Sequence, residues 1–273
     1  MVLAKGLKVE YLTRNAGDLT DMMAFFPAAN PTHLITCVEG SRAMIAPGKL
    51  NPSVQRINLL TGAIETILRG TSRCDGIRTT AWGTILATEE TTDGGAYEIL
   101  DPLNVTEQSI LDRATGATTD PTHIVKRTAL PTMAWEGIAI LASGVVIGGD
   151  ELRPGTPVDA DGGAIFKFVP TVPRTGNGLI TNLSDSPLVS GEVYALQVSC
   201  NSNNQQFGQG CEIGNAAWVE VNAASARSDA NNAGATGYYR PEDLHDDPTF
   251  ADPTNPDAVR FCWTNTGTEE GHN

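Results

Sequence analysis

Four segments of the sequence place carboxylates beside short apolar runs, and these residue types at this spacing suit metal chemistry. Acids at the strand ends of successive sheets would converge on one rim, where like charges are costly unless a cation compensates them. A single acid of this kind is better explained as a solvated turn residue, but the repetition favours bound metal ions. The segments are Thr36–Glu39, Trp82–Glu90, Ala134–Gly137 and Arg240–Asp243, and the candidate ligands in them are Glu39, Glu89, Glu90, Glu136 and Glu242.

The segment Trp82–Glu90 is the most specific of the four. An aromatic-Gly turn leads into an alternating strand that ends in two adjacent acids, Glu89 and Glu90. Adjacent side chains of a strand point to opposite faces, so these two can meet one ion only through a bulge or a turn. One of the pair is therefore expected to bind a metal, and the other is expected to be structural.

The segment Arg240-Pro-Glu-Asp243 places a guanidinium beside two acids. Arginine suits bidentate capture of phosphate, and beside metal-bound carboxylates it would stabilise charge growing on a phosphoryl group. We therefore expect Arg240 and Glu242 to be catalytic residues of a phosphoryl-transfer site. The competing interpretation is a surface arginine paired with Glu242.

The elements that would position these residues are short strands. Apolar segments of four to eight residues recur between Gly, Pro, Asn and Asp, and no long stretch keeps a helical period. The pattern predicts an all-β chain, with Ala223 to Gly237 open between a short helix and a loop. The predicted strands are 8–12, 33–38, 54–60, 63–68, 84–88, 96–100, 124–130, 137–141, 144–148, 164–169, 192–198, 216–221 and 260–264.

This number of strands favours a β-propeller, in which blades of four strands surround a channel. We expect residues 1–273 to form a single propeller domain of about four blades that stops before the ring closes. An open propeller edge would favour self-association. A β-sandwich is the structural alternative.

The charge excludes some partners. Asp and Glu total 32 against 18 Lys and Arg, which gives a net charge of -14 and a pI near 4.6. Phosphate backbones and anionic headgroups would be repelled, so nucleic acid is not expected as a partner. No apolar run is long enough to span a membrane. Residues 1–11 do not read as a signal peptide, so either a leader was removed or the chain was never exported.

The cysteines indicate the cellular compartment of the protein. Cys200 and Cys211 bracket a polar loop with no core of its own, so a loop-closing disulfide is expected there, with two independent thiols as the alternative. A disulfide would imply an oxidising compartment, periplasmic or extracellular.

Several motifs together resemble the PhoX-type alkaline phosphatases. They follow the family's order over residues 5 to 273. Arg73-Cys-Asp-Gly76 stands where the family has Asn-Cys-Ala-Gly, and Trp135 stands where it has His. The matching motifs are Cys74 to Glu90 with its Trp-Gly-Thr strand, Trp135-Glu136-Gly137, Gly148-Gly-Asp-Glu151 followed by 164–169, and Tyr239–Asp243 with Trp263-Thr-Asn265.

The resemblance implies a six-bladed propeller whose channel holds iron and calcium and hydrolyses phosphate monoesters. It implies that Cys74 is an iron ligand, that Glu136 and Glu242 bind or bridge metals, and that Asp150 is a further ligand. It also implies that Glu89 or Glu90 binds calcium and that Arg240 holds the substrate phosphate.

The leading hypothesis is thus a metal-dependent phosphomonoesterase acting on small phosphate esters outside the cytoplasm. One alternative is a calcium-binding propeller without catalysis, serving as an extracellular structural or filament subunit. Another is a propeller hydrolase of sugars or lactones that uses one calcium. An iron-bound Cys74 favours the enzyme, whereas calcium alone favours assembly.

Overall fold

The computed structural model describes residues 3–153, 162–198, 215–254 and 258–267, and this part is almost entirely strand and loop. The prediction of an all-β chain is confirmed. The strands are β1 Thr20–Phe26, β2 His33–Val38, β3 Met44–Ala46, β4 Lys49–Leu50, β5 Pro52–Asn58, β6 Ile64–Arg69, β7 Cys74–Thr79, β8 Ile85–Glu89, β9 Ala96–Ile99, β10 Gln108–Asp112, β11 Ala117–Thr118, β12 Ile124–Lys126, β13 Trp135–Ile140, β14 Val146–Asp150, β15 Ile165–Pro170, β16 Gly191–Val198, β17 Ala216–Val221, β18 Pro241–Asp246 and β19 Phe261–Asn265.

Helices are short in the described ranges. The α-helix there, α1, spans Ala226–Asn232, and no described helix could cross a bilayer. Three 3-10 turns cover Leu183–Asp185, Pro187–Val189 and Ala223–Ser225. The strand predicted at residues 8–12 is wrong, because these residues pair with none of the described strands.

The chain builds its sheets mostly one after another. The orders are β1-β2-β5-β6-β10-β11, then β12-β9-β8-β7, then β13-β14-β15-β16-β17, with two-stranded sheets β18-β19 and β3-β4. Three sheets of four to six strands do not match a two-sheet sandwich. No described sheet closes on itself, so the propeller ring and its single domain stay predictions.

The first strands of successive sheets pack against one another, β1 on β7, β7 on β13 and β13 on β18. Two glycines permit this approach. A Cβ on Gly76 would lie 2.4 Å from the carbonyl oxygen of Glu136, and one on Gly137 would lie 2.3 Å from that of Glu242. Any larger residue at either position would push the first strands apart.

One local frame recurs in four sheets. In each, the first strand carries one extra residue against the second strand, which is a β-bulge directly after its first residue. The residue after the second strand also donates its N–H to the carbonyl of the residue before the first strand. These bonds are Glu39 to Leu19 (2.9 Å), Glu90 to Arg73 (2.8 Å), Glu151 to Ala134 (2.9 Å) and Thr266 to Arg240 (3.1 Å).

Apolar side chains fill the spaces between the sheets. One cluster lies around Trp82, Trp135 and Phe166, and another lies around Ile35, Ile77 and Tyr97. The second cluster contains a disulfide between Cys37 on β2 and Cys74 on β7, which joins the first two sheets. The disulfide predicted between Cys200 and Cys211 lies outside the described residues.

Replacing both Cys37 and Cys74 with Ala is expected to lower the free energy of unfolding by about 3–4 kcal/mol, because the bridge closes a long loop of the unfolded chain. Thermal or urea unfolding of the purified variant measures the loss. Cys262→Ala is the matched control, since Cys262 is a free, exposed thiol. Equal stability of the two variants would contradict the prediction.

Candidate metal centre

Seven acids stand at equivalent places in the recurring frame. The second residue of the first strand, inside the bulge, is acidic in four sheets; we call these residues the bulge acids. The residue after the second strand is acidic in three of the sheets, and we call these the exit acids. A bulge re-aims its side chain, so both sets face the same edge. The bulge acids are Asp21, Asp75, Glu136 and Glu242, and the exit acids are Glu39, Glu90 and Glu151.

Two groups of three carboxylates offer ligand atoms within 4.8 Å of one another, so each group could hold a metal ion. Each combines a bulge acid, the exit acid of the same sheet and the bulge acid of the next sheet. Triad 1 is Asp21, Glu39 and Asp75, and triad 2 is Asp75, Glu90 and Glu136. Asp75 therefore belongs to both.

The next group in this series already holds a positive charge. Glu151 is the exit acid of the third sheet and Glu242 the bulge acid of the fourth. Nε of Arg240 donates to Oε1 of Glu151 at 2.5 Å, and its Nη2 lies 3.7 Å from Oε1 of Glu242. The guanidinium of Arg240 thus occupies the position that a cation could take in the first two triads.

Asp75 supplies the observation that best fits a metal ion. The residue is 3% exposed, and its Oδ1 has no hydrogen-bond partner among the described residues. A buried carboxylate oxygen without a partner is costly. The oxygen-only donor set of the two triads suits hard divalent cations, which would satisfy this oxygen.

Burial and crowding hold protons on these acids while no cation is bound. Burial raises the pKa of Asp75 to about 7, although a hydrogen bond with Glu136 opposes the rise. Burial, followed by a hydrogen bond with Glu151, raises the pKa of Glu90 to about 9. Burial and then the charge of Asp75 raise the pKa of Glu136 strongly as well. A cation must therefore displace protons when it binds.

The stability of the cation-free protein is expected to fall as the pH rises from about 5 to about 9. Asp75 and Glu90 have folded-state pKa values above their ordinary ones, so the folded state binds more protons than the unfolded state across this window. The stability that these two groups contribute is fully present below their pKa values in the unfolded state. It is lost as the pH rises through their pKa values in the folded state. Thermal unfolding after chelation measures this slope.

Calcium should raise the melting temperature more at the alkaline end of that window than at the acidic end. Glu136→Gln should flatten the slope of the cation-free protein, because it removes one of the crowded carboxyl groups. A melting temperature that rises with pH after chelation would contradict the assignment.

Two arginines border the acids at equivalent positions. Arg73 and Arg240 each precede a first strand, and each has a positive φ, 54° and 53°. The guanidinium of Arg73 donates to Oε2 of Glu90 from Nη2 at 2.5 Å and from Nε at 3.0 Å, and it also pairs with Glu39. Arg73 therefore joins triad 1 to triad 2.

The structure confines three predicted ligands to structural roles. Cys74 is not an iron ligand, because its Sγ is bonded to Cys37 and cannot be a thiolate. Oε1 of buried Glu89 accepts from Arg113 Nε at 2.7 Å, and its Oε2 accepts from Gly95 N at 3.1 Å and from Arg113 Nη2 at 3.2 Å. The oxygens of Glu89 are thus already used.

Asp150 is the third correction. It is fully buried, and both oxygens accept from Arg227, at 2.6 and 2.7 Å. Its Oδ1 also accepts from the backbone N–H of Ala134 at 3.0 Å. Asp150 therefore fixes the entry to β13 and so positions Glu136 without being a ligand itself.

Of the residues named from the sequence, Glu39 lies in triad 1, Glu90 and Glu136 lie in triad 2, and Glu242 belongs to neither triad. The charge of Glu242 contributes to the raised pKa of both Asp75 and Glu136, and its Oε1 accepts from Thr266 Oγ1. Sequence reasoning missed Asp21, Asp75 and Glu151. The available signal was the repeated acid-Gly step, Asp75-Gly76 and Glu136-Gly137.

Among solved structures, the fold is similar to Pseudomonas fluorescens PhoX in complex with vanadate, a transition state analogue. The sequence identity is 18% and the TM-score is 0.49. The alignment covers 88% of this chain and 57% of that chain, so this chain spans little more than half of that protein. No protein-family model matches the chain, and no curated protein matches it. Any function must therefore rest on the side chains of the centre.

Proposed function

We propose that the chain is a metal-dependent phosphomonoesterase with a two-cation carboxylate centre. The observation that carries the proposal is the pair of triads sharing Asp75. Two neighbouring cations suit phosphoryl transfer, since they can stabilise both the attacking and the leaving oxygen. The motifs that resemble the PhoX-type phosphatases supply Glu90, Glu136 and Arg240 to this centre, which supports the same conclusion.

Calcium is the cation we propose, because every ligand of the triads is a carboxylate oxygen. Iron is less well supported, since the sulfur expected to bind it lies in a disulfide. The bound cations would supply Lewis-acid stabilisation of the phosphoryl oxygens. Arg240 holds the substrate phosphate through its guanidinium, which Glu151 orients by a hydrogen bond and Glu242 by its charge.

We also propose that the sheets are successive blades of a β-propeller with the centre at one mouth of its channel. The contacts between successive first strands support this arrangement, as does the recurrence of one frame in four sheets. A periplasmic or extracellular location fits the disulfide between Cys37 and Cys74.

Hydrolysis of p-nitrophenyl phosphate by the chelated and calcium-reloaded protein tests the function. We expect turnover that chelation abolishes and calcium restores, with Glu242→Gln inactive but folded. Glu10→Gln, an exposed acid paired with Lys8, is the matched control. Absence of turnover with calcium, iron or both would refute the phosphatase proposal.

The disulfide at Cys74 favours a second candidate, a calcium-binding structural subunit without catalysis. Loss of the expected iron ligand leaves a centre of carboxylates alone. In this case calcium would raise the melting temperature without any ester being hydrolysed. Calcium-dependent self-association, measured by light scattering, would separate this candidate from an inactive monomer.

Arg240→Lys is expected to raise the KM for phosphate esters about tenfold, because a point charge replaces a fork of donors. Steady-state kinetics at saturating calcium measure the change. Arg260→Lys is the matched control, since Arg260 pairs with Asp247 and its side chain is 65% exposed. Unchanged KM and kcat would remove Arg240 from substrate binding.

A further inference from the structure

Arg73 occupies in the second sheet the place that Arg240 occupies in the fourth. Both precede a first strand in the left-handed region of backbone space, and both carbonyls accept from the residue after the second strand. Each guanidinium joins the exit acid of the preceding sheet to an acid of its own sheet. For Arg73 these acids are Glu39 and Glu90, and for Arg240 they are Glu151 and Glu242.

The guanidinium of Arg73 is accessible to solvent, and some of its N–H groups donate to no described residue. Its side chain is 48% exposed, compared with 18% for Arg240. Its hydrogen bonds to described residues use Nε and Nη2, which leaves Nη1 free to donate. Arg73 contacts an acid of each triad, so its guanidinium lies beside both proposed cation positions.

The partners of Arg73 are also the ligands of the proposed cations. Glu39 belongs to triad 1 and Glu90 to triad 2, so a cation in either triad competes with Arg73 for the same carboxylate. When the carboxyl groups of Glu39 and Glu90 turn to cations, Arg73 loses these two partners. A planar guanidinium without a carboxylate is suited to bind another oxyanion in bidentate fashion.

We propose that Arg73 is a second phosphate-holding residue, released to the substrate phosphate when cations bind Glu39 and Glu90. This inference rests on the proposed function and deepens it, because the resemblance to the PhoX-type phosphatases gave Arg73 no role. The ligand class is a phosphate oxyanion, either a phosphate monoester or inorganic phosphate. Cation and phosphate binding must then reinforce each other to the same extent, as linkage requires.

A purely structural role for Arg73 leads to a different result. If Arg73 only neutralised Glu39 and Glu90, its removal would disturb the triads and weaken the binding of cation and anion together. If Arg73 competes with cations and holds phosphate, its removal changes the two affinities in opposite directions. The sign of the two changes therefore separates the roles.

The test is isothermal titration of the whole chain with calcium alone, then with inorganic phosphate at saturating calcium. For Arg73→Gln we expect calcium affinity to rise about fivefold and phosphate affinity to fall about tenfold or more. Arg73→Lys should keep calcium affinity near that of the wild type and lose part of the phosphate affinity, because it keeps the charge without the fork. Arg260→Gln controls for the loss of one positive charge.

Weaker binding of both ligands, or no change in either, would overturn the inference while leaving the cation centre intact. Binding of no calcium by the wild type would overturn the inference and the proposed function together. Opposite changes in a protein that hydrolyses no ester would support the role of Arg73 and refute only the phosphatase activity. If Arg73→Gln fails to fold, the Arg73→Lys result and the calcium dependence of phosphate binding to the wild type decide.

Discussion

Replacing Asp75 with Asn is expected to lower calcium affinity at least about 100-fold, since even outer residues of metal sites cost up to that much. Asp75 is the one carboxylate shared by both triads, so a single change removes charge from two neighbouring sites. Titration calorimetry on the chelated protein measures the affinity. Phosphate-ester turnover should disappear with calcium binding.

The same change should not destabilise the cation-free protein. Burial raises the pKa of Asp75 to about 7, so above that pH its ionised carboxyl costs stability that a neutral amide of the same shape avoids. At alkaline pH the melting temperature of Asp75→Asn without calcium should equal or exceed that of the wild type. A folded variant that binds two calcium ions as tightly as the wild type would disprove the shared ligand.

Arg227→Met is expected to lower the free energy of unfolding by about 3–5 kcal/mol, because it leaves the carboxylate of Asp150 buried without its ion-pair partner. Asp150 also accepts from the N–H of Ala134, which leads into the strand of Glu136. Urea unfolding measures the stability. Arg260→Met is the control for losing an exposed arginine.

A double variant separates the effect of the Asp150–Arg227 ion pair on stability from the effect of Asp150 on the geometry of the metal centre. Asp150→Leu combined with Arg227→Met should recover much of the lost stability, since an apolar pair can replace a buried ion pair. Calcium binding should not recover fully, because the bond to Ala134 is still absent. A double variant as unstable as the sum of the single changes would contradict the coupling.

Strands with regular alternation were predictable from the sequence. Residues 33–38 form β2 as expected, and residues 216–221 form β17. The prediction failed at first strands, because β1, β7 and β18 were not recognised. Each of them carries a bulge with an acid that interrupts the alternation of apolar and polar residues. The bulge that places an acid in the centre therefore also removes the pattern by which the strand could be recognised.

The sequence prediction missed the centre by one residue at two positions. It pointed to Cys74 and Asp150, whereas Asp75 belongs to both triads and Glu151 pairs with Arg240. Neighbouring residues of a strand face opposite ways, so an error of one residue exchanges a ligand for a core residue. Glu89 and Glu90 were both named as candidates, and nothing local to the sequence showed which of the two would join the other acids.

The disulfide could not be predicted from spacing either. Cys37 and Cys74 are separated by 37 positions and meet only because β2 and β7 pack together. The loop pair Cys200 and Cys211 attracted attention because it is close in sequence. Pairing across sheets depends on tertiary contacts that residue spacing does not record.

The recurring frame separates backbone geometry from ligand identity. Its hydrogen bonds join main-chain atoms, so the side chains at the bulge and exit positions are free to vary without altering the pairing. The fourth sheet illustrates this, because Thr266 stands at its exit position while the frame is intact. Evolution or engineering could therefore exchange coordinating groups one sheet at a time and retune ion selectivity by stepwise substitution on a constant scaffold.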